Sequence, residues 1–225
     1  MATFGVIVEK GSKRTFVVAV DWPGLARGAK TEELAIEAFL VYGPRYEKVV
    51  RSIGGFHAPG STAELRVAER LPGDSGTDFG IPSLAAHADD RRIDATELSR
   101  QLGILRACRR AFDSAARSAV GITLSTGPRG GGRDLDKMVR HVVEADQAYL
   151  QQLGTKPPKW TTEPAEDYGR QIRTLQDQAF RARVAGELPP NPNAVKKLWS
   201  PRYFIRRAAW HLLDHAWELE DRSEG

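Results

Sequence analysis

The sequence predicts an α+β chain: a small strand-rich layer over residues 1–71, then an all-helical bundle over residues 94–225. Two observations predict it. Short β-branched runs bounded by Gly, Ser and Pro dominate the first seventy residues, and apolar stripes at helical spacing dominate everything after residue 94. Between them, residues 72–93 ("PGDSGTDFGIPSLAAHADDRR" and its border) are rich in Gly, Pro, Ser and Asp and read as a surface linker.

The elements follow in chain order. "FGVIVEK" and "TFVVAVDW" are strands, and "GSK" between them suits a hairpin turn. Thr31 caps a helix beginning "TEELAIEAFLVYG", with Glu32 and Glu33 in the first turn, where the dipole favours acids. Leu34, Ala38 and Val41 mark its packing side, and Pro44 is expected to kink or interrupt it. "AELRVAERL" is one more strand.

Asp94 and Glu97 then open a long helix in the manner of a capping box, with the stripe Leu98, Leu102, Leu105, Phe112, Ala116 and Ala119. A second helix runs from Asp134 as N-cap to Gly154 as stop, its stripe Leu135, Met138, Val142, Ala145, Tyr149 and Leu153. A third runs from near Pro164 to near Gly186, with Ile172, Leu175, Ala179 and Ala182 inward. The fourth starts at Ser200 with Pro201 in its first position. Four helices of about 20 residues make a four-helix bundle.

Composition excludes several classes of function. No apolar run approaches the roughly 20 residues of a bilayer span, and "MATFGVIVEKGSKR" lacks the basic and apolar regions of a signal peptide. Cys108 is the single cysteine, so no intramolecular disulfide forms; its apolar helical setting reads as core. These features fit the cytoplasm. Net charge is +4, with 33 basic residues interleaved among 29 acidic ones, so no basic stripe marks a nucleic-acid partner.

Chemistry concentrates on the histidines. In "AAWHLLDHAWELEDR", His211 and His215 lie four apart on or beside the apolar side made by Ile205, Ala208, Leu212, Ala216 and Leu219. Residues i and i+4 are stacked neighbours on a helix, so two imidazoles there can aim at one cation. His57 and His87 fall in loop or linker, which leaves His141 on the inner side of the second helix as the third ligand. Three ligands with an open fourth position are the arrangement of a catalytic rather than a closed structural metal site. Glu144 and Glu218, one turn from His141 and His215, are candidates to orient an imidazole or accept a proton. In "STGPRGGGRDLDK", Arg129 and Arg133 are candidates to meet a carboxylate or a thiol cofactor at the mouth of the bundle. Asp214 is expected to pair with Arg207 or stay in water, and Trp210, Trp217, Tyr203 and Phe204 read as packing groups. No nucleophile elbow appears, and no catalytic nucleophile is assigned.

The segments "HVVEADQAYLQQLG" and "HLLDHAWELEDR" resemble the DinB superfamily, four-helix bundles with a His on the second helix and HxxxH on the fourth. The resemblance spans residues 94–225. It implies a divalent metal, nickel or zinc, held by His141, His211 and His215. It also implies a small-molecule substrate handled with a low-molecular-weight thiol, in an S-transferase or isomerase reaction. A non-catalytic binding or stress-linked protein with a structural or vestigial metal is the competing expectation. The stretch "TFVVAVDWPGLARGAKTEELAIEAF" resembles HicB antitoxin-like domains through Pro23, Gly24, Gly28, Thr31, Glu33 and Ala35. That likeness covers residues 4–55 and implies a small β-β-β-α-β layer. Its role is expected to be structural or dimerising, leaving a homodimer open, with a HicB-type regulatory component as the alternative.

Overall fold

The computed structural model describes residues 3–127, 132–193 and 195–223. It is a mixed α+β molecule: a four-stranded sheet followed by helices. The order is β1 (Phe4–Lys10), β2 (Thr15–Ala19), β3 (Ala26–Ala29), α1 (Glu32–Val50), β4 (Leu65–Pro72), α2 (Ser75–Phe79), α3 (Ala95–Ser118), α4 (Leu135–Gln152), α5 (Ala165–Val184) and α6 (Pro201–Ser223). Among the described residues, no helix is long and apolar enough to cross a membrane.

The sheet runs β3-β2-β1-β4. β1 and β2 form an antiparallel hairpin closed by Gly11 N–H to the Arg14 carbonyl (2.8 Å). β4 returns parallel to β1 because α1 carries the chain across the sheet first. Alternation sends Val6, Val8, Val17 and Ala19 to the face under α1, and Ile7, Phe16 and Val18 to the other face. The buried stripe of α1 is Ala35, Phe39, Gly43, Tyr46 and Val50. It is rotated by one residue from the expected Leu34, Ala38 and Val41, and Leu34 and Val41 are exposed. The helix also runs unbroken through Pro44, where an interruption was expected.

The second face of the sheet is covered by residues the sequence marks as linker. Residues 73–93 hold α2 and a 3-10 turn at His87–Asp90, and they bury Thr77, Ala86 and Asp89. Glu9 ties this strap down. Its fully buried carboxylate accepts from Thr77 Oγ1 (2.5 Å), Ser83 N (2.9 Å) and Leu84 N (3.2 Å). From above, Arg206 of α6 donates to Asp89 Oδ2 (2.5 Å) and to the Leu84 carbonyl (2.9 Å), a pair buried on both sides.

The long helices start and stop where their caps place them. The Thr31, Asp94 and Asp134 side chains accept from Leu34 N, Glu97 N and Lys137 N. Gly154 and Gly186 take positive φ (79° and 81°) just beyond α4 and α5. At α3 the capping box is only half formed. Glu97 turns away from Asp94 to meet Arg202, Arg100 and Gln101. α3 packs mainly on α6, and α4 packs on α5 and α6. A buried polar ladder crosses three helices: Arg109 donates to Gln176 (2.8 Å), and Gln176 to the Asp146 carbonyl (2.7 Å). One apolar core runs from Val6 and Phe39 through Leu102 and Met138 to Leu219.

Glu9→Ala removes the acceptor of the Ser83 and Leu84 N–H groups and the shorter of two bonds from Thr77 Oγ1, and is expected to cost about 2–4 kcal/mol in urea unfolding, with Glu9→Gln less severe because it keeps one acceptor oxygen.

Candidate metal centre

α6 is buried over most of its surface, and several of its polar residues fall in one row. Arg207, His211, His215, Glu218 and Arg222 recur at spacings of four, four, three and four, which keeps them on one face. α4 crosses that face at His141, placed by the same apolar stripe that buries Met138 and Val142. His211 and His215 are 7% and 6% exposed, so the imidazoles sit inside the protein.

The three rings converge through the same atom. His211 Nε2 is 3.2 Å from His141 Nε2 and 3.2 Å from His215 Nε2. One donor nitrogen from each residue lies within 4.8 Å of the others. Hydrogen bonding among the rings alone cannot satisfy this arrangement. A ring nitrogen carries either one in-plane proton or one in-plane lone pair, so His211 Nε2 can serve only one neighbour well. A shared cation satisfies all three. Two nitrogens each about 2.0–2.1 Å from one ion, at angles between about 90° and 110°, lie about 2.8–3.4 Å apart. The donor set therefore fits a divalent ion that accepts imidazole.

The surroundings favour neutral rings. Burial, then the neighbouring His215 and Arg133 charges, push His141 down to about 4, against an opposing pull from Glu218. His211 is held well below its ordinary value by burial first, then by His215, His141, Arg207 and Arg133. Neutral imidazole is the form that binds metal.

The second ring nitrogens differ. His215 Nδ1 is 3.1 Å from Glu218 Oε2, and Glu218 Oε1 takes a hydrogen bond from Arg222 (3.2 Å). Arg222 in turn donates to the Ser125 carbonyl (2.7 Å), which fastens the loop before α4 to this end of α6. His211 Nδ1 is buried with no hydrogen-bond partner among the described residues. The same holds for Arg207 Nε and Nη1 and for Trp210 Nε1 beside it. Arg207 lies over the Trp210 ring (4.9 Å) and near Tyr149 (5.9 Å), so aromatic faces take the place of a carboxylate.

His141, His211, His215 and Glu218 thus come together as the spacing anticipates, and Arg133 stands at the groove beside them. Glu144 does not join them: it is exposed, 3.9 Å from Arg140, one turn round the helix from the cluster. Arg129 lies outside the described residues. Asp214 meets Arg27 of β3 (3.4 Å) rather than Arg207. Cys108 is buried in the core, which pushes its thiol up to about 12 and leaves it inert. Tyr149, whose ring is 5.8 Å from His211, and Arg222 were not anticipated at the site; the regular spacing along α6 is the signal that could have found Arg222.

A groove of about 610 Å³ opens beside the cluster, touching His215, Glu218, Arg133 and Arg222 on the helical side. No known protein family, curated protein or solved structure matches the chain.

His141 and His211 are depressed in the fold, so an unfolded chain binds more protons than the folded one below the ordinary histidine value of 6.5. Their contribution to stability is complete above pH 6.5 and is lost as pH falls toward 4. A melting series on metal-free protein should show Tm dropping through that window, and His141→Gln with His211→Gln should flatten the slope.

Proposed function

We propose that the chain is a divalent-metal-dependent protein of DinB-like type that acts on a small molecule in the groove beside His215. The observation that carries it is the convergence of three Nε2 atoms, from half-buried His141 and buried His211 and His215, with two separations of 3.2 Å, at the edge of an open groove. A purely structural site would close its shell, whereas three protein ligands leave a position free for an incoming group.

His141, His211 and His215 hold the ion, nickel or zinc. When bound, it supplies the positive charge that keeps a small thiol as thiolate or polarises a carbonyl, in thiol transfer or isomerisation. The remaining work falls to residues of the chain. Glu218 fixes the orientation of His215 through Nδ1, and Arg222 fixes Glu218. Glu218 also lines the groove, so its carboxylate is placed to take the proton an entering thiol gives up. The aromatic side chains around His211 exclude water from the inner face of the cluster.

Elemental analysis of tag-free protein should find about one divalent ion per chain, and the His211→Ala, His215→Ala double variant should lose it. Glu218→Gln should keep the ion but bind it about 10–100-fold more weakly, as expected for loss of an outer partner of a ligating histidine. Absence of any ion after exposure to nickel, zinc, manganese and iron salts would overturn the assignment.

A further inference from the structure

The groove beside the cluster is built by two parts of the chain. α6 and the residues before α4 make one wall. The sheet makes the other, through Arg14 of the β1–β2 hairpin, Phe16 of β2 and Arg27 and Gly28 of β3. This wall is shaped as well as present. A Cβ at Gly28 would lie 2.7 Å from the Phe16 ring carbons, so only glycine lets that ring lie against the β3 backbone. Phe16 also packs edge-on against Trp210, the residue preceding His211.

The charges of the groove are unevenly satisfied. Four arginines line it, and two of them are committed. Arg27 reaches Asp214 and lies 3.8 Å over the Tyr42 ring. Arg222 is held by Glu218 and the Ser125 carbonyl. The acids along the wall already face cations, with Asp221 taken by Arg45 (2.8 Å). Arg14 and Arg133 are different: among the described residues, neither side chain has an ion pair or a hydrogen bond. Arg14 is half-buried in the sheet wall and Arg133 is exposed in the helical wall. A concave site of this size with uncommitted guanidinium groups suits a small anion, since guanidinium forks match carboxylates.

We infer that the sheet is the recognition wall of the site: Arg14, together with Arg133, grips the carboxylate of a small anionic ligand whose body lies along the groove toward His215. Arg14 is thereby a specificity-determining residue, and the strand layer takes part in ligand choice. This rests on the groove being the ligand site of the metal centre, as proposed above.

The test is amide NMR of the full chain titrated with phenylacetate and, in parallel, with neutral phenylacetamide, in metal-free and zinc-loaded protein. Phenylacetate should give saturable shifts on both walls, including residues 14, 16, 27 and 28 as well as 215 and 218. Phenylacetamide and the Arg14→Gln variant should each bind about ten- to a hundredfold more weakly, the loss expected for one charge-assisted hydrogen-bonded contact. Unchanged Tm in Arg14→Gln separates recognition from folding. Equal affinity for acid and amide, unchanged affinity in Arg14→Gln, shifts confined to the helical wall, or no binding would each overturn the inference. Metal content read on the same samples keeps the two proposals apart. Failure of the metal reading shows as an absent ion with sheet-wall binding intact, and failure of this one as a bound ion with no response from Arg14.

Discussion

The burial of α6 along most of its surface is the constraint on which the rest of the structure depends. α3 covers one flank, α4 and α5 another, and the strap and the sheet a third through Arg206 and Trp210. A helix so enclosed has little solvated surface apart from its groove side, so each buried polar group needs a partner or costs stability. Arg206 has Asp89, and Arg222 has Glu218 and Ser125. The histidines have each other, and Arg207 has aromatic rings. The meeting of His211 and His215 with His141 is in this sense tied to the burial of α6, which brings the three rings to one point.

The same enclosure fuses the strand layer to the helices. At the turn after β2, Gly24 takes φ of 102°, and a Cβ there would lie 3.0 Å from Leu213 of α6 and 3.3 Å from Cys108 of α3 and from Tyr46 of α1. Tyr46 reaches back to donate to the Pro23 carbonyl (2.7 Å). The turn thus packs into the junction of three helices, and only a residue without a side chain fits. That contact brings the hairpin alongside α6, and the groove is the space left between them. Fold and site are linked here by a tight approach at the edge of the shared core.

Much of this was legible in the sequence, for local reasons. The strands at residues 4–10 and 15–19 carry β-branched runs. The starts at Asp94 and Asp134 and the stops at Gly154 and Gly186 are properties of single residues and their neighbours. The histidine triad was legible because helical spacing and the inner stripe of α4 are also local. The packing face of α1 was misjudged by one residue, since Leu34 looks apolar but the narrower row through Gly43 is the one that fits the sheet. The strap looked like linker because its anchors are polar and distant: Glu9 meets Ser83, and Arg206 meets Asp89, over separations no periodicity reports. The groove was illegible for the same reason. Arg27 and Asp214 are 187 positions apart, and nothing near either one names the other.

Chain order adds a consequence for how the molecule is made. α6 follows the other elements of the fold, yet α3, α4, α5 and the strap pack around it. During synthesis the sheet with α1, the strap and α3–α5 leave the ribosome before α6 does, with the apolar surfaces that pack on it uncovered. His141 likewise waits for His211 and His215. Such a nascent chain is a natural client for chaperones, and the histidine cluster closes only once α6 has joined the earlier helices.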